Sequence, residues 1–273
     1  MSLVIQTNVA SLAAQKNLAG NQKALMSSFS RLSSGLRVNS ASDDAAGLAI
    51  SESMKSQIRS FTVAERNAAD GISMAQTAEG ALGEVHGVLG RLRELAMQSA
   101  NGSLSDTDRG YLDTEFGQLT SEITRIQDSA KFNGVTLIGA SSASLTFQVG
   151  LGSNSADQIS ISFGSLNMAS VTGAGVSTAS AALAALSTID TAIATISNKR
   201  AQFGAAMNKM EVATSNIQTM RLNLSAANSR IVDVDVASET SAMSRNQVLT
   251  QAGVSILAQA NQLPQTAFGL LGR

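Results

Sequence analysis

Residues 31–51 read RLSSGLRVNSASDDAAGLAIS, and apolar residues at helical spacing run up to this stretch and resume beyond it. It holds Gly35, two arginines, a run of serines and the pair Asp43–Asp44. Gly35 suits the left-handed conformation that ends a helix. Ser42 suits the cap of the next helix, with Asp43 and Asp44 in its first turn, at the positive end of the helix dipole. Arg37, between the two helices, is placed to pair with those aspartates. Near the other end of the chain, Ser229–Asp235 (SRIVDVD) breaks a second helical pattern. Long helical segments broken at two matching places predict a mainly α fold of long antiparallel rods, bent at one level.

Working outward, the apolar spacing supports this. Leu18, Leu25, Phe29, Leu32 and Leu36 fall on one stripe, with Ile5, Val9 and Leu12 starting a similar one upstream. A second runs Ile72, Ala75, Ala78, Leu82, Val85, Leu89, Leu92, Ala96, and a third Leu112, Phe116, Leu119, Ile123, Ile126, Ala130. A fourth is Leu186, Ile189, Ile193, Ile196, Phe203, Met207, Met210, Ile217, Leu224, and the last Leu249, Ala252, Ile256, Ala260, Leu263, Ala267, Leu270. Alternating steps of three and four average about 3.5, the coiled-coil period. Gly83, Gly87 and Gly90 inside the second pattern each cost up to ~1 kcal/mol against Ala, which is tolerable where a neighbour helix approaches closely; a loosely held helix is the alternative. The one proline, Pro264, has the chemistry to kink or end a helix.

The middle differs. Leu145, Phe147 and Val149 alternate with polar residues, as do Ile159, Ile161 and Phe163. Period two predicts strands, and Asn133–Gly134 predicts a tight turn. Gly, Ser and Ala crowd residues 139–180, as turns and short hairpins require. The expected organisation is therefore paired terminal helices over 1–41 and 236–273, with connecting segments near 34–44 and 229–236. Residues 42–235 form a helical bundle with a β-hairpin insert at about 132–176.

Composition narrows the function. The chain of 273 residues is 44% hydrophobic but 3% aromatic, so its cores are built of small and aliphatic side chains. Charged residues make up 14%, against roughly 25% in typical soluble domains. The net charge of −1 offers no attraction for nucleic acid or an anionic membrane, and low charge weakens repulsion between stacked copies. With no cysteine there are no disulfides and no thiolate chemistry. No cleavable secretory signal opens the chain, and no run of about 18 apolar residues predicts a membrane span. The single histidine, His86, adjoins Val85 and reads as a helix-surface residue. Asp43–Asp44 and Asp233/Asp235 lack His or Cys companions as metal ligands, and capping accounts for the first pair. No catalytic, cofactor-binding or metal residue is expected.

Both ends are amphipathic over about 35 residues, with stripes of Leu, Ala and Ile. Isolated helices owe most of their stability to burial of one face, so these ends need each other and other copies of the chain. The residues expected to carry polymerisation are Val9, Leu12, Leu18, Leu25, Phe29, Leu32, Leu249, Ala252, Ile256, Leu263 and Leu270. Those expected at the junction are Gly35, Arg37, Ser42, Asp43 and Asp44.

The stretches LVIQTNVASLAAQKNL, LSSGLRVNSASDDAAGLAIS, NAADGISMAQTAEGAL, RLRELAMQSANG, KFNGVTLI and NQLPQTAFGLL together resemble the bacterial flagellins. The resemblance covers the first ~140 residues and roughly the last 90, and its motifs are long and specific. It implies a compact member with two core domains, polymerising into the extracellular flagellar filament used for swimming. It further implies export, unfolded, through the flagellar type III channel without a cleavable signal peptide. The partners implied are a cytosolic export chaperone at the C-terminal helix, hook-associated junction and cap proteins, and a host innate receptor. Arg91, Leu95 and Glu115 match the positions that such a receptor reads; Leu95 lies off the stripe of Leu92 and Ala96, as a surface residue would. The alternatives are a hook–filament junction protein with similar ends, or a soluble helical binding protein or enzyme.

Overall fold

The computed structural model describes residues 7–139, 144–164 and 166–271, with side chains as far as residue 262. Ile5 of the N-terminal stripe lies outside the described residues. The chain forms two compact units, Met1–Ser56 with Asn223–Arg273, and Gln57–Leu222. The fold is mainly α, with two small antiparallel sheets in the middle of the chain.

In the first unit, helix α1 spans Val9–Ser34. The Asn8 side chain caps it by accepting from the Ser11 amide at 3.1 Å, and Gly35 ends it at φ 73°. Helix α2 spans Ala45–Ser99. Its cap is Asp44, whose Oδ1 accepts from the Gly47 amide at 2.8 Å. Ser42 is thus two residues too early to cap the helix, and no acid sits in its first turn. Helix α5 spans Ala179–Val232 and α6 spans Val236–Leu271. Asp235 caps α6, its Oδ1 accepting from the amides of Ala237 and Ser238 at 3.0 and 3.2 Å. Helix α6 continues through Pro264 rather than ending there.

The second unit is organised on α2. Ala68, Ala75, Ala78, Leu82, Val85, Leu89, Leu92 and Ala96 are all buried, and from Ala75 onward their three-four steps make a continuous seam. Helix α3, Asp106–Ser129, starts with a reciprocal capping box between Ser105 and Asp108 and buries Phe116 and Ile123. On α5 the innermost residues are Ala182, Ala185, Ile189, Ala192, Ile196, Phe203, Met210 and Ile217. Leu186, Ile193, Met207 and Leu224, expected on the same stripe, are half-buried. The innermost line of α5 thus mixes alanines with large aliphatic and aromatic side chains, and the partly covered residues flank it.

One eighteen-residue window of α5 is long and apolar enough, by composition, to cross a membrane, contrary to expectation. Alanine, leucine and isoleucine supply that apolarity. The expected close approach at Gly83, Gly87 and Gly90 is absent among the described residues, since a Cβ there would meet nothing within 4 Å. Close approach occurs at Gly71 instead, where a Cβ would lie 2.5 Å from the Met210 methyl.

Strands β1 (Lys131–Phe132) and β2 (Val135–Thr136) form a tight hairpin. Asn133 and Gly134 turn it at φ 46° and 81°; two successive positive values fit the twist of a two-residue hairpin. Strands β3 (Ser144–Gln148) and β4 (Gln158–Ser162) pair antiparallel, with Leu145 opposite Ile161 and Phe147 opposite Ile159. The alternating apolar residues thus share one face, and the strands end just before Val149 and Phe163. Phe163 stacks at a tilt on Phe203 of α5, ring centroids 5.5 Å apart. The Ser- and Ala-rich segment beyond holds one helical turn, α4 (Ala169–Thr172), not foreseen in the pattern. It seats Met168, Val171 and Val176 in the core.

Candidate polymerisation surface

Helices α1 and α6 pair along their length. Near the start of α1, Asn8 Nδ2 donates to the Ala260 carbonyl at 2.8 Å, and the Ser11 hydroxyl donates to Asn261 Oδ1 at 2.7 Å. Further along, Leu18 lies against Gly253, where an added Cβ would come within 3.3 Å of its Cδ1. The covered residues of α1 are Ser11, Ala14, Leu18, Asn21, Leu25, Ser28 and Leu32, a three-four seam. Its partner on α6 runs Met243, Asn246, Thr250, Gly253, Leu257 and Ala260. About half of these side chains are polar or small, so the seam fixes register but buries little apolar area.

The predicted polymerisation residues divide between two faces. Leu18, Leu25 and Leu32 sit half-buried in the seam. Val9, Leu12 and Phe29 point outward, 68%, 55% and 69% exposed, with Met26 beside them at 76%. On α6 three of the predicted residues face out: Leu249, Ala252 and Ile256 are exposed, together with Val248 and Val254, whereas Ala260 of the same stripe is buried in the seam. The side chains of Leu263 and Leu270 lie outside the described residues. Met26, Val248 and Val254 had no place in the expected stripes, because each sits beside the stripe rather than on it. A large aliphatic side chain left in water forgoes about 1.5–3 kcal/mol of burial. A row of them on a paired helix is a candidate contact surface.

At the junction, Leu36 and Asp233 form a β-bridge. The Arg37 amide donates to the Val232 carbonyl at 2.6 Å and the Val234 amide to the Gly35 carbonyl at 3.1 Å. The Arg37 guanidinium donates to the Ile231 carbonyl, so it satisfies a helix C-terminus rather than pairing with Asp43 or Asp44. Arg31 takes the expected role, 3.9 Å from Asp43 and 3.8 Å from Glu239. Asp43 closes its own loop, accepting from the Ser40 hydroxyl at 2.9 Å and from the Ser40 and Asn39 amides. The Ser40 hydroxyl, then these amides, hold its carboxyl below the ordinary carboxylate range, with a smaller contribution from Arg31.

In the second unit, Arg91 on α2 meets Glu115 on α3 through two nitrogens at 3.0 and 2.8 Å, and Glu94 at 2.9 Å. Both Arg91 and Glu115 are solvent-exposed. Leu95 is not: at 1% exposure it belongs to the core, contrary to its expected surface position. It lies one turn beyond Arg91, in the buried cluster that also holds Phe116 and Ile123 of α3.

Known proteins match this architecture along nearly the whole chain. A family model for the bacterial flagellin N-terminal helical region matches residues 5–143, and one for the bacterial flagellin C-terminal helical region matches residues 186–271. A flagellin of Halalkalibacterium halodurans is 41% identical, over 98% of this chain and 100% of its own. A flagellin of Bacillus subtilis is 40% identical, over 98% and 99%. A flagellar filament 33 kDa core protein of Treponema phagedenis is 38% identical, over 98% and 100%. Among solved structures, a Bacillus cereus flagellin, 30% identical, superposes with a TM-score of 0.51 over 60% of this chain and 94% of its own. A protein described as flagellar hook-associated, from Vibrio parahaemolyticus, shares the fold at 16% identity and a TM-score of 0.59, over 70% and 100%. Two family matches on the helical ends, and relatives matched over nearly their whole length with about two residues in five identical, place the chain in the bacterial flagellin family.

Proposed function

We propose that this chain is a structural subunit that polymerises into a flagellar filament and serves swimming motility. The observation that carries the reading is the exposed row of Val9, Leu12, Met26 and Phe29 on α1, with Leu249 and Ile256 on α6. The α1–α6 seam is too polar to hold both helices by itself, and the uncovered row supplies the missing apolar area from a second copy. Repeated contacts between unlike faces propagate without closing and give a helical polymer. Ordering the terminal helices on joining couples their folding to assembly.

The same reading has the subunit leave the cell unfolded through the flagellar type III channel and act outside it, its C-terminal helix held by a chaperone beforehand. Hook-associated junction and cap proteins are its end neighbours in the filament. Arg91 and Glu115, exposed and joined, are the positions offered to a host receptor. The test is Ile256→Asp beside Phe29→Asp in a strain lacking its own filament. Secreted monomer without filaments supports the reading, and normal filaments from both variants would overturn it. Loss of the filament with the hook intact separates a filament subunit from a junction protein.

A further inference from the structure

The turn between α2 and α3 contains Asn101-Gly102-Ser103, all exposed. Three hydrogen bonds converge on the oxygens of Asn101, one of them from the Leu104 amide to its carbonyl at 3.4 Å. The Ser103 amide donates to its side-chain Oδ1 at 3.2 Å. Arg109 Nη2 donates to its backbone carbonyl at 2.9 Å and to the Leu104 carbonyl at 3.2 Å. Arg109 is only 5% exposed, and its Nη1 is buried without a partner among the described residues. Its Nε lies 3.9 Å from Asp106 Oδ1, so the guanidinium is held beneath the turn between that carboxylate and two backbone carbonyls.

We propose that this turn is a self-modifying site, in which Asn101 loses its side-chain nitrogen by cyclising onto the backbone nitrogen of Gly102. The Asn101 carbonyl and the Gly102 N–H belong to one peptide group. Removing that proton leaves an anion whose charge rests largely on the Asn101 oxygen, where Arg109 already donates; a cation hydrogen-bonded there favours the anion. As the Gly102 nitrogen attacks Asn101 Cγ, negative charge develops on Oδ1. The Ser103 N–H is already aimed at that atom, a preorganised donor of the kind that stabilises acyl-transfer intermediates. The N–Cγ bond forms, the Cγ–Nδ2 bond breaks, and Nδ2 leaves as ammonia, carrying the proton that Gly102 lost. Water then opens the five-membered imide at either carbonyl, giving aspartate or its β-linked isomer. The new carboxylate stands at the C-terminal end of α2, where the helix dipole disfavours negative charge, so the conversion weakens the turn.

The chain carries its own control. Asn133–Gly134 is the same dipeptide, but it is fixed in the hairpin turn at φ 46° and 81°. No side-chain donor reaches the Asn133 carbonyl among the described residues.

The experiment incubates folded protein at mildly alkaline pH and follows both sites by peptide mapping and mass spectrometry. Asn101 is expected to convert about tenfold faster than Asn133, as a preorganised donor and cation warrant, and the two are expected to converge in urea. Gly102→Ala is expected to suppress conversion. A Cβ there meets nothing within 4 Å, so the fold persists while the nucleophile is hindered. Arg109→Gln is expected to bring Asn101 down to the rate of Asn133, with helicity checked by circular dichroism. Equal rates at the two sites in the folded protein would overturn the proposal, and so would an unchanged rate in folded Arg109→Gln. The comparison within the unsubstituted protein stands whether or not that variant folds, and on monomer as well as on polymer.

Discussion

Two helix seams in this molecule follow the same three-four spacing with different contents. Along α2 the seam is Ala, Leu and Val, with Leu82, Val85, Leu89 and Leu92 at 0–1% exposure. Along α1 it is Ser11, Leu18, Asn21, Leu25, Ser28 and Leu32, much of it half-covered. The first buries enough apolar surface to hold helices together in a single molecule. The second specifies alignment and leaves Val9, Leu12, Met26 and Phe29 outside. Periodicity therefore says where helices meet, whereas the residue types on the seam say whether one copy of the chain suffices.

The largest effect expected from this contrast is in proteolysis. Depolymerised protein should lose both ends first, leaving a fragment close to Gln57–Leu222, and filaments should protect the ends. Equal resistance of the ends and the centre in the monomer would erase the distinction. Next come cavities. Leu89→Ala should cost about 3 kcal/mol in denaturant unfolding of the second unit, a fully buried leucine leaving a hole. Leu25→Ala, in the half-covered seam, should cost the monomer under about 1 kcal/mol and show itself in the critical concentration for assembly. A smaller monomer effect is expected from Phe29→Asp, about 0.5 kcal/mol or less by thermal melting, because its side chain meets water; sedimentation should still report no polymer.

The smallest effect is at the junction. The Asp43 carboxyl is held low, so its contribution is present above the unfolded group's range and is lost as pH falls through the lower folded value. Asp43→Asn should flatten the acid limb of the stability profile slightly, and an unchanged profile would show that the loop hydrogen bonds do not depend on charge.

Much of this architecture was legible in the chain. The α2 stripe, the α3 stripe and both hairpins follow from spacing, because one buried face writes itself into the period. The terminal helices were legible as amphipathic, but their division into two faces was not. Ser11 and Ser28 carry no apolar signal, and the covered line shows only once α6 lies against α1. The Leu95 error has a related cause. A single stripe describes a helix with one neighbour, whereas α2 reaches α3 through Arg91–Glu115 and α5 through the 2.7 Å pair Arg93–Asp190. Junction chemistry was read by residue type but misassigned by partner. Arginine side chains are long, and Arg31 reaches Asp43 from the preceding helix while Arg37 turns to a carbonyl.

The Leu36–Asp233 bridge is short, yet it clamps together two stretches of chain more than 190 residues apart in sequence. A drag arriving along either connector is passed sideways to the other through the Arg37 and Val234 amides and the Arg37 side chain. Each stretch is thereby tied to the other where the helices give way to bare backbone.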